Sequence, residues 1–107
     1  MEITEITISI RDEDKLKAFI NVTFDDCFVV RGMKIIKGAT GYFISMPSRK
    51  MSDGSYRDIA HPITNSFRAK IESDILREYK RVLEEANIAV DQGVLQAIEE
   101  IESAAEV

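Results

Sequence analysis

The spacing of apolar residues changes once along this chain, and that change limits the folds open to it. Through residue 46 apolar side chains recur mostly at every second position; from Phe67 onward they recur every third or fourth. Period two belongs to strands and period 3.6 to helices, so strands come first and a helix follows. In residues 3–10, Ile6, Ile8 and Ile10 share one side of a half-buried strand, with Thr7 and Ser9 opposite. The charged cluster Arg11–Lys15 reads as a turn. A second strand follows over Leu16–Phe24, where Leu16, Ala18, Ile20, Val22 and Phe24 alternate with Lys17, Phe19, Asn21 and Thr23. The two should pair as a hairpin, with Asp25-Asp26 breaking the second.

Cys27–Ile36 predicts a third strand. Phe28, Val29 and Val30 in a row suggest cover on both faces or a subunit contact, and Gly32 suggests a bulge or a close backbone approach. Residues 37–41 form a loop with two glycines, and Tyr42–Met46 a fourth strand ended by Pro47. Ser48–Ser55 reads as a polar, flexible loop with a turn at Asp53-Gly54, and Tyr56–Ala60 as a short fifth strand. Thr64, Asn65 and Ser66 can each cap a helix. That helix is expected over 65–86, where Phe67, Ile71, Ile75, Leu76, Tyr79, Val82 and Leu83 cover about half the circumference.

The expected fold is α+β: a four- to five-stranded antiparallel sheet of hairpins over residues 2–60, then a long helix packed on it. Residues 1–86 form one domain, and 107 residues suffice for one core but not two. Residues 87–107 hold no cations. Val94, Leu95, Ile98 and Ile101 allow a weak helix there, but Gly93 and the acidic excess allow a disordered tail equally well. A small sheet with one helix leaves edges unpaired and Phe19, Phe43 and part of Phe28–Val30 uncovered, which predicts a homodimer.

Function classes narrow quickly. No apolar run approaches the roughly 20 residues of a membrane span, and the alternating N-terminus does not resemble a secretory signal. The single cysteine, Cys27, has no partner for an internal disulfide, which fits a reducing, cytoplasmic setting; beside Phe28 and Val29 it reads as buried filler. His61 is the lone histidine, and before Pro62 it reads as structural rather than as a general base. Asp25 and Asp26 are adjacent, which suits a turn better than a carboxylate pair. No metal-ligand spacing, phosphate-cradling loop or nucleophile elbow occurs. The chain is therefore read as no enzyme, with no cofactor, no metal and no small-molecule substrate.

Charge is more informative. The net charge is −5, yet residues 31–81 carry eleven basic and five acidic groups, a net of +6. A polyanion responds to the field within about 8 Å rather than to the molecular sum. Arg49, Lys50 and Arg57 cluster in and after the polar loop. Arg68 and Lys70 fall at the helix entrance, where a cation opposes the helix dipole by about 0.3–1 kcal/mol and where free N–H groups attract anions. Such a placement predicts a phosphate-binding corner, with Arg77, Lys80 and Arg81 as an additional basic stripe. An ion pair of Arg68 with Glu72 is the bland alternative. No aromatic-interleaved motif occurs, so the sequence gives no support for stacking on single strands.

The N-terminal MEIT, the strand FVVRGMKII, the segment GYFISMPSRKMSDGSYRDIAHPITNSFRAKI and the following LREY resemble the stage V sporulation protein G (SpoVG) family of bacterial septation regulators. The resemblance covers residues 1–83. It implies a dimeric, non-catalytic α+β protein of the bacterial cytoplasm that binds DNA, with RNA as a second ligand. It also implies roles in septation, sporulation and the control of surface or virulence genes. The family's basic positions fall on Arg49, Lys50, Arg57, Arg68 and Lys70, and the tail matches no family pattern. The rival expectation is a protein-interaction adaptor of the division machinery that binds no nucleic acid.

Overall fold

The computed structural model describes residues 1–105. Four strands form an antiparallel meander: β1 (Ile3–Ile10), β2 (Leu16–Phe24), β3 (Phe28–Gly38) and β4 (Gly41–Ser45), neighbours in that order. Two short strands, β5 (Ser48–Lys50) and β6 (Tyr56–Asp58), pair only with each other. Helices α1 (Asn65–Glu85) and α2 (Gln92–Ala105) follow. The α+β fold expected from the periodicity switch is the one observed.

Strand β2 shows why the sheet has one wet and one dry face. Ala18, Ile20, Val22 and Phe24 are buried, while Lys17, Phe19, Asn21 and Thr23 between them are half-exposed. The buried set meets Met33 and Ile35 of β3, Ile44 of β4, and Ile71, Ile75, Leu76, Tyr79 and Leu83 of α1. Burying each such side chain contributes about 1.5–3 kcal/mol, so the core fixes which strand face turns inward. The β2–β3 connection is tight because Asp25 and Asp26 both adopt left-handed backbone, φ 50° and 53°, while Cys27 N–H donates to the Phe24 carbonyl. That is a type I′ turn, whose hand suits the strand twist and in which Asp is tolerated.

Several expectations change. Strand β3 runs to Gly38 and β4 begins at Gly41, so their connection is two residues rather than the longer loop expected. The bulge expected at Gly32 is present: φ is +85° and the register with β2 shifts there. The fifth strand does not join the main sheet; it closes a ribbon with Ser48–Lys50, read from sequence as flexible. Its turn is held by Asp53, whose carboxylate accepts from the Ser55 N–H at 2.9 Å and hydroxyl at 2.6 Å. Cys27 is exposed in its turn, not buried filler, because turn position outweighs its apolar character. Phe28 and Val29 stay exposed, at 63% and 45%, rather than covered on both faces.

Of the two states open to the segment after α1, helix is found over Gln92–Ala105; residues 106–107 lie outside the described residues. Val94, Ala97 and Ile98 join the core. Gly93 signals close packing rather than fraying, since a Cβ there would stand 3.1 Å from the Tyr42 ring. Among the described residues, no helix is long and apolar enough to cross a membrane.

Candidate functional site

The hairpin register places Arg49 directly opposite Arg57 across the β5–β6 ribbon. Ser48 faces Asp58 and Lys50 faces Tyr56 on the alternate rows. All six strand residues are exposed. Like charges directly opposite on an antiparallel pair repel, by about 0.2–1 kcal/mol. Neither arginine, nor Lys50, makes an ion pair among the described residues. The pair thus carries a local cost with no internal compensation, which tends to mark a surface shaped for something external.

The entrance of α1 is organised differently. Thr64 is the N-cap, its hydroxyl accepting from the Phe67 N–H at 3.2 Å, and no acidic residue lies in the first turn. Arg68 is half-buried and makes no ion pair among the described residues. Its neighbour Glu72 has its carboxyl pushed up by burial, partly offset by the Arg68 charge. The ion pair weighed for these two is therefore a longer-range attraction and not a contact. Lys70 donates to Asp74 one turn on, at 3.0 Å.

The stripe of Arg77, Lys80 and Arg81 is occupied by the chain's own carboxylates. Arg77 Nε donates to Glu102 of α2 at 2.8 Å, and Ser73 shares that carboxylate at 3.0 Å. Lys80 meets Glu84 at 3.4 Å. Arg81 donates through Nε and a terminal nitrogen to Glu78 at 2.7 and 2.9 Å, and to Glu85 at 2.6 Å. These hydrogen bonds hold the Arg81 guanidinium pKa above its usual range and that of Glu78 below the usual carboxylate range. Exposed pairs of this kind are screened by solvent and contribute little, so a competing phosphate can still exchange with them.

His61 is exposed, with Nδ1 3.1 Å from the Pro62 carbonyl. It lies on the rim of an apolar cavity of about 260 Å³ walled by Phe24, Phe28, Met33, Met46, Ile63 and Phe67. Among the described residues no three His, Cys, Asp or Glu side chains gather to hold a metal.

Sequence reasoning missed two arrangements. Lys37 and Tyr42 both donate to Asp91, at 2.8 and 2.9 Å, joining β3 and β4 to the start of α2. The Arg11 guanidinium lies over the Phe19 ring, 5.0 Å from its centroid. Neither is legible in linear spacing, because each pair meets only through strand order.

Comparison with known proteins bears on the same region. The SpoVG family model matches residues 1–81, three quarters of the chain and all of the sheet, ribbon and most of α1. The chain belongs to the SpoVG family. It is 49% identical over 86 residues to a protein of Myxococcus xanthus, covering 80% of this chain and 87% of that one. It is 52% identical over 86 residues to one of Clostridium acetobutylicum, covering 79% and 90%. Each of these SpoVG relatives bears the name "Putative septation protein SpoVG". The family match ends within α1, so Asp91 and α2, with their contacts to Lys37, Tyr42 and Arg77, lie outside what the SpoVG model describes.

Proposed function

We propose that this protein is a non-enzymatic, cytoplasmic nucleic-acid-binding regulator acting in septation, with roles in sporulation or surface-gene control where its host has them. The Arg49–Arg57 pair is the observation that carries the reading. A two-stranded ribbon fits the major groove of duplex DNA, and two adjacent guanidiniums suit bidentate contacts to phosphate. Lys50 extends the charge along the ribbon, and Arg68 and Lys70 add phosphate contacts from α1. These contacts supply affinity and register rather than sequence preference. The septation role rests on the names of the relatives.

The protein acts as a homodimer in this reading, joined where exposed Phe28 and Ile63 flank the apolar cavity. Doubling the ribbon would let one dimer span two stretches of duplex. The same apolar rim favours the second reading, an adaptor docking a division protein.

Fluorescence anisotropy with duplex DNA over a salt series tests the proposal. Arg49→Ala with Arg57→Ala should weaken binding and reduce the slope of log affinity against log salt by about 2. An unchanged slope would remove the ribbon as the phosphate contact. Partner capture that persists in excess DNA and raised salt, with no duplex binding, would favour the adaptor.

A further inference from the structure

Outside the ribbon, the cations that make no ion pair among the described residues lie mostly on or beside the main sheet, with Arg68 the one on α1. Among the described residues Arg11, Lys15, Lys17, Arg31 and Lys34, all on or beside the main sheet, make no ion pair within 4 Å, whereas Lys70, Arg77, Lys80 and Arg81 on α1 each do. Both helices pack on the face that carries Ala18, Ile20, Ile35 and Ile44. Alternation puts Phe19 and Phe43 on the opposite face, because their neighbours Ala18, Ile20 and Ile44 are buried. Neither phenylalanine packs against the core, and Phe43 is 49% exposed.

The register makes this face a patterned surface. One row runs Ser9, Phe19, Lys34, Ser45 across β1 to β4, and the next places Ile36 beside Phe43. Lys34 thus stands between the two aromatic positions. Phe19 and Phe43 are two strands and two residues apart, about 12 Å from strand spacing and rise, enough for two separate bases. The Arg11 guanidinium lies over one face of the Phe19 ring, 5.0 Å from its centroid, so a base at Phe19 takes the place of Arg11 or stacks against the guanidinium in turn. Thr7, Asn21 and Thr23 add neutral hydrogen-bonding groups to this face, with Glu5 and Val29 in the row of Thr23. On β1 and in the β1–β2 turn the acidic residues are Glu5 near the start of the strand and Asp12, Glu13 and Asp14 in the turn.

We propose that the open sheet face, through Phe19 and Phe43 with Lys34 and Arg11, is a binding platform for single-stranded nucleic acid, separate from the ribbon. Exposed aromatics on a four-stranded sheet stack unpaired bases without regard to sequence, while interleaved cations hold the backbone. Charge complementarity favours this occupant over a second copy of the chain, whose matching face would bring Lys34 and Arg11 against their own kind. The proposal shares its ligand class with the ribbon reading but stands on different residues.

The test measures binding of a fluorescent oligouridylate of about 12 nucleotides and of duplex DNA in parallel. Phe43→Ala should weaken the oligouridylate by about 5- to 150-fold, the worth of one stacked base, and leave duplex binding unchanged. Phe43→Tyr, which keeps a stacking ring, should bind as the natural protein does. Arg49→Ala with Arg57→Ala should show the reverse selectivity. Oligouridylate binding with no duplex binding would uphold this platform while rejecting the ribbon. Unchanged oligouridylate affinity in Phe43→Ala, equal loss of both ligands in either variant, or a smaller sedimenting species in Phe43→Ala would each overturn the platform, the last by showing the face to be a self-contact.

Discussion

The Tyr42 hydroxyl donates a 2.9 Å hydrogen bond to Asp91, tying β4 to the residue before α2. Asp91 also accepts from Lys37 at 2.8 Å and from the Gly93 N–H at 2.9 Å. It is at once an N-cap, an ion-pair partner and a strand anchor. These donors, Lys37 foremost, hold its carboxyl pKa down to about 2, while burial and Asp91 itself push the Tyr42 hydroxyl up.

A pH dependence follows from that carboxylate. A group whose folded pKa is depressed stabilises the fold above its unfolded pKa of 3.8 and loses that contribution as pH falls toward about 2. Asp91 keeps 38% side-chain exposure, so screening reduces the contribution to on the order of 1 kcal/mol. Asp91→Ala should cost about 1–2 kcal/mol near neutral pH through the lost cap and hydrogen bonds. Urea unfolding should show the gap between the two proteins narrowing from about pH 4 to about pH 2. A gap that stays constant with pH would show that Asp91 acts only through its shape.

Gly93 is set by the Tyr42 ring, which leaves 3.1 Å where a Cβ would go. Gly93→Ala gains helix propensity, worth about 0.8–1 kcal/mol, but must push the ring aside. Gly93→Val should therefore destabilise by about 1–3 kcal/mol through overpacking, while Gly93→Ala falls near neutral. Denaturation midpoints of the two variants against the natural protein check this. A fully tolerated valine would mean that α2 is not seated on Tyr42.

The Asp25-Asp26 turn holds two non-glycine residues at positive φ. Asp25 also accepts from the Glu2 N–H at 3.0 Å, whereas the Asp26 backbone N–H donates to the Thr4 hydroxyl, a bond that survives substitution of its side chain. Asp26→Gly should thus raise stability by about 0.5–1 kcal/mol. Asp25→Gly should gain less, since it also gives up a hydrogen bond. A thermal melt of both separates the two effects.

The facing arginines of the ribbon make an opposite prediction for stability and for binding. Arg57→Thr removes cross-strand repulsion and places a better strand former opposite Arg49. Thermal stability should be unchanged or higher by up to about 1 kcal/mol, while duplex affinity falls. Parallel loss of stability and affinity would instead assign Arg57 a structural role.

Much of the scaffold was legible in residues 3–86. Alternation at Leu16–Phe24 and the 3.6-residue period of Ile71, Ile75, Tyr79 and Leu83 report local geometry directly, and a one-residue error would turn the core residues outward. Asp25-Asp26 and Gly32 likewise announced a turn and a bulge through their own backbone preferences.

What the sequence by itself determined, then, is element type, element order and the position of the positive block, because each depends on neighbours along the chain. Only the tertiary structure decided that Arg49 faces Arg57, that Glu102 occupies Arg77, that Tyr42 seats Gly93, and that Phe19, Lys34 and Phe43 share one open face. Those pairings are set by strand register and by which helix packs where. Register and packing minimise the free energy of the whole core, and no local run of residues carries that sum.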